Sequence, residues 1–124
     1  MARPPRLTRA EFEKLVEKAI AELPEEFRSR IENVVIAVED EPTDEDYELT
    51  HTPDDEDLFG IYRGAMRTQM TWDMLPDLPP QVVVFRGPIL RNTDTSREAV
   101  REIKDTIIHE LGHYFGLEDD EMPY

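Results

Sequence analysis

TSREAVREIKDTIIHELGHYFG, residues 95–116, holds a helix start, a helix face and a helix stop in one run. Thr95 followed by Glu98 is a capping-box signal. Val100, Ile103, Ile107 and Leu111 then recur at helical spacing, and Gly116 falls where helices commonly end in a left-handed residue. The pattern predicts a helix over about 96–115 without help from its histidines. Once that helix is granted, His109 and His113 stand at i and i+4 on one face, roughly one turn apart, beside the apolar stripe. That is the boundary between core and cleft. Two imidazoles so placed can grip one metal ion, and Glu110 then points at whatever water the ion carries. Gly112 costs about 1 kcal/mol against alanine in a helix interior, which is consistent with close approach of another backbone segment.

A catalytic zinc takes three protein ligands and leaves one position for water. The chain has no cysteine, so ligands must be His, Asp, Glu or water. Eleven residues follow His113, and the third ligand is therefore sought in that tail or upstream. Gly116 permits a sharp turn, and Asp119 stands six residues after His113, giving the pattern H-E-x-x-H-x-x-G-x-x-D. Asp119 is the preferred third ligand. Glu118, Asp120 and Glu121 compete, because a run of carboxylates leaves the register open. Glu110 is the candidate base, taking a proton from the metal's water and returning it to a leaving amine. By chance the three fixed residues appear in a chain this long in roughly half a percent of cases, which disfavours a fortuitous match.

Working back from this helix, Gln81–Arg86 (QVVVFR) reads as the strongest strand, ended by Gly87-Pro88. Leu58–Arg63 (LFGIYR) is a second strand bounded by Gly64, and Val34–Val38 a third. Either of the first two is an edge to which an extended peptide could add by backbone hydrogen bonds. Between them Pro76, Pro79 and Pro80 break the chain; Arg67–Thr71 is a possible further strand, with Met66, Met70, Trp72 and Met74 as core filler. Thr8 and Glu11 open an amphipathic helix over about 8–22, closed by Pro24, which opens a short second helix with Phe27 and Ile31 inward. Residues 39–57 carry eleven acids and no Lys or Arg. They read as an exposed, flexible acidic loop; the spacing is not that of a calcium loop, and His51 within it reads as a surface histidine. The fold expected is α+β (mixed α/β): one domain over 1–124 with an N-terminal helix, a small mixed sheet of three or four strands and a C-terminal active-site helix.

The net charge is −15. This argues against nucleic acid as a partner, because such binding rests on Lys and Arg neutralising phosphates. No apolar run approaches a membrane span, and no apolar signal segment follows the start of the chain. A soluble, cytoplasmic monomer acting on a peptide or protein is the expectation.

The tail H109-E-L-G-H-Y-F-G-L-E-D119 resembles the zincin metallopeptidases, in particular the short bacterial zincin-like family sometimes called minimal metalloproteases. L58-F-G-I-Y-R-G64 and V82-V-V-F-R-G-P-I-L-R91 are similar to that family's strand segments. The resemblance implies a compact domain with a mixed sheet and a zinc-bearing C-terminal helix. It implies one Zn2+ held by His109, His113 and Asp119, with Glu110 as base and peptide hydrolysis as the reaction. The third histidine usual in metzincins is replaced by Asp119, and Met122 is the one candidate for a methionine turn. Two other readings stand beside it. One is a zinc-binding regulatory or interaction domain without turnover. The other, from the His-x3-His-x5-ligand spacing, resembles the small metal-dependent endoribonucleases of rRNA maturation; these place histidine where Asp119 stands and lack a glutamate after the first histidine.

Overall fold

A computed structural model describes residues 7–29, 31, 34–53, 55–63 and 80–114, the side chains of residues 113 and 114 excepted. The C-terminal stripe forms helix α5, Ser96–Tyr114. Ile103, Ile107 and Leu111 are fully buried along it, each worth about 1.5–3 kcal/mol of apolar burial. The Thr95 hydroxyl accepts from the Glu98 N–H at 3.1 Å. The Glu98 carboxylate reaches back one residue further than expected, to the N–H of Asp94 at 2.9 Å.

Helix α1 (Arg9–Ala21) starts in a full Thr8/Glu11 capping box and buries Phe12, Val16 and Ala19. It packs along α5. Pro24 opens the short α2 (Glu25–Arg28), with Phe27 buried. The three strands are β1 (Val35–Glu39), β2 (Gly60–Arg63) and β3 (Gln81–Phe85), in the order β1-β3-β2. β1 runs parallel to β3, pairing Val38 with Val84, and β2 runs antiparallel to it, pairing Tyr62 with Val82. The result is an α+β fold with a small mixed sheet.

The central place of β3 explains its unbroken apolar run. Val82 and Val84 enter the main core with α1 and α5, while Val83 and Phe85 join Ile61 in a smaller cluster on the other face. A strand buried on both faces has no reason to alternate. It also corrects the expectation that Gln81–Arg86 offers a free edge, since both its sides are paired. Beyond it the chain passes straight into α4 (Arg86–Arg91). Pro88 is tolerated there because the first turn of a helix leaves its N–H groups unpaired.

The acidic segment 39–57 is not the irregular loop its composition suggests. Glu39 closes β1, and Asp44–Thr50 forms helix α3. Thr43 and Asp46 make a reciprocal capping box, and Asp44, Glu45 and Asp46 place negative charge at the positive end of the helix dipole. Arginines distant in sequence supply the counter-charge. Arg63 grips Glu39 at 2.8 Å and Asp46 at 3.0 Å; Arg91 grips Glu41 at 2.8 Å and Asp57 at 3.0 Å; Arg86 meets Asp40 at 2.9 Å. The predicted Arg67–Thr71 strand and the Met and Trp residues around it lie outside the described residues. No helix among those described is long and apolar enough to cross a membrane.

Candidate metal centre

α5 carries His109 and Glu110 to one wall of a cleft of about 980 Å³, whose other walls are β2 and the C-terminal end of α3. The fit of β2 against α5 depends on Gly60. A Cβ there would lie 2.5 Å from the Thr106 methyl and 2.9 Å from the carbonyl oxygen of Val83, so no side chain can be accommodated without moving strand or helix. Glycine at 60 therefore sets the distance between β2 and α5.

The hydrogen-bond phase of the sheet then decides what β2 presents to the cleft. The Phe85 N–H donates to the Phe59 carbonyl, which assigns the backbone groups of Phe59 and Ile61 to β3. Alternation turns those of Gly60 and Tyr62 outward. The outward N–H of Tyr62 donates to the carboxylate of Glu110. Glu110 is half-buried, and its pKa is raised to about 7: burial pushes it up, and the Tyr62 N–H pulls back only in part. A carboxyl group balanced near neutrality beside a cleft suits a group that must both take and give a proton.

His109 is exposed on the same wall, one residue before Glu110. The backbone of His113 continues α5 without a break, which keeps it on the face of His109 at a rise of about 6 Å. The His113 side chain lies outside the description, as do Asp119, its competitors Glu118, Asp120 and Glu121, and Met122. Among the described residues no three His, Asp, Glu or Cys converge as a metal-binding group. Imidazoles completed by a carboxylate, with no thiolate in the chain, are a donor set that suits zinc. His51, read as a surface histidine, is exposed and terminates α3 in the left-handed conformation at φ 55°.

Residues 31–124 match the family model of the zincin-like metallopeptidases. The chain belongs to that family. No curated protein matches it. Among solved structures, a conserved hypothetical protein from Thermus thermophilus is similar at 22% identity and a TM-score of 0.57, over 88% of this chain and 94% of that one. At that identity the likeness speaks to fold alone. The matched span contains both β2 and the His109–Glu110 wall of the cleft. The structure gives a place to residues that the motif alone did not bring forward. Gly60 and Tyr62 sit inside a strand run that the sequence offers as a peptide-binding edge but not as a partner of Glu110; the signal for that contact was a glycine within a strand, which marks close backbone approach.

Proposed function

We propose that this zincin-like protein is a zinc-dependent peptidase in which Glu110 is the general base and His109, His113 and Asp119 hold the metal. The observation that carries the reading is the placement of Glu110 and His109 together on a cleft wall, directly against the outward-facing edge of β2. When bound, zinc supplies Lewis acidity, lowering the pKa of its water toward 7 and polarising a carbonyl.

The remaining work falls to the chain's own groups. The outward backbone of Gly60 can align an extended peptide by strand addition, since among the described residues no strand pairs with that side of β2. The aligned backbone would run past Glu110. That carboxylate takes a proton from the attacking water and returns it to the departing amine, closing the cycle in its starting state. Tyr62 holds the carboxylate in position through both steps, because its N–H is fixed by the sheet and by the close seat of Gly60 on α5.

The test is digestion of a library of unstructured peptides, read by mass spectrometry, with metal removed and restored. Cleavage that disappears with a chelator and returns with zinc supports the peptidase. Zinc-loaded protein that cleaves nothing would instead favour the zinc-binding domain without turnover.

A further inference from the structure

The cleft has two unlike walls. On α5, Glu102 and Asp105 line it upstream of His109 and Glu110, while Leu49 and Leu58 stand among the residues facing them from the end of α3 and the approach to β2. No lysine or arginine lines it among the described residues. Neither Glu102 nor Asp105 has an ion-pair partner there, although Glu39, Asp40, Glu41, Asp46 and Asp57 are each matched to an arginine. Leu49 is 64% exposed, the largest such value for a big apolar side chain among the described residues. Leu58 is half-buried against the Ile61, Val83 and Phe85 cluster, so the exposed apolar surface of the cleft is Leu49's. An acidic wall without ion-pair partners, in one cleft with that aliphatic surface, fits a side chain with an apolar stem and a cationic head.

We propose that this cleft selects peptides carrying lysine or arginine, the cationic head meeting Glu102 and Asp105 while the stem lies on Leu49 and Leu58. The proposal rests on the peptidase reading for its position in the substrate. Asp105 precedes His109 by four residues and Glu102 by seven, rises of about 6 and 10 Å along the helix. An extended peptide advances about 3.3 Å per residue, which puts the selected side chain some two to three residues from the scissile bond. The crowding of like charge in the free protein points the same way. Burial, and then the neighbouring Asp105, raise the pKa of Glu102, so a cation at that wall relieves an existing repulsion.

The experiment measures binding, so that it does not depend on turnover. Zinc-loaded full-length protein carrying Glu110→Gln is titrated with fluorescent, otherwise identical peptides bearing lysine, glutamine or glutamate at every third position. The expected order is lysine over glutamine over glutamate, with about a 3- to 10-fold step between the first two, the range for one or two exposed ion pairs. Adding Glu102→Gln and Asp105→Asn should bring the lysine-to-glutamine ratio close to one. Adding Glu25→Gln and Glu26→Gln on α2 removes the same charge elsewhere and should leave the ratio intact. Equal binding of the three peptides overturns the proposal. So does an equal fall in the ratio for both charge-removing pairs, which would assign it to the overall charge of −15. Lysine preference at the cleft together with no hydrolysis by zinc-loaded wild type would remove the peptidase and keep the selectivity.

Discussion

Glu110 shows how one side chain's surroundings set its chemistry. Its folded pKa of about 7 lies above its ordinary 4.5, so the folded metal-free protein holds that proton more tightly than the unfolded chain does. Stability from the protonated group is complete below about 4.5 and is lost as pH rises through 7. The amount at stake is of order 2–3 kcal/mol for a half-buried group. Urea unfolding of metal-free protein should therefore show wild type losing stability relative to Glu110→Gln between pH 5 and pH 8; parallel curves would mean that Glu110 titrates as an ordinary carboxylate. That His109 and Glu110 lie on a C-terminal helix was legible in the sequence, because the apolar stripe of α5 predicts that helix without its histidines. What tunes Glu110 was not, since the Tyr62 N–H arrives from a strand 48 residues away.

Between elements, the decisive contacts are those that seat β2. Gly60→Ala should push β2 from α5, lower stability by roughly 1–3 kcal/mol as overpacking does, and reduce hydrolysis by more than that loss explains. Activity unchanged in folded Gly60→Ala protein would mean that the spacing of β2 from α5 does not matter. Asp46 acts in the same region with the opposite pH sense from Glu110. Burial would raise its pKa, but the Thr43 N–H and the Arg63 guanidinium outweigh that and hold it below its usual value. Its stabilisation is thus present at neutral pH and fades on acidification. Asp46→Asn should cost about 1–3 kcal/mol at pH 7, measured by urea unfolding, because Arg63 loses a charged partner that is only 4% exposed. Helices and strands with an apolar period were readable along the chain; α3 was not. Eleven acids without a nearby cation look unfoldable until Arg63, Arg86 and Arg91 are brought across by the sheet and α4.

For the whole molecule, the proposed function makes one requirement, that zinc binds the folded state. Ligand binding to the native state alone stabilises by about 2.7 kcal/mol at a hundred times Kd. Zinc should raise the melting temperature of wild type and fail to do so in His109→Ala; an equal rise in both would place the metal elsewhere. The most direct test of the proposed chemistry compares wild type with Glu110→Gln, both assayed for bound zinc by elemental analysis and for hydrolysis of the same peptide. The expected result is equal zinc in the two, with hydrolysis in wild type and none in the variant. Hydrolysis by Glu110→Gln at the wild-type rate would contradict it.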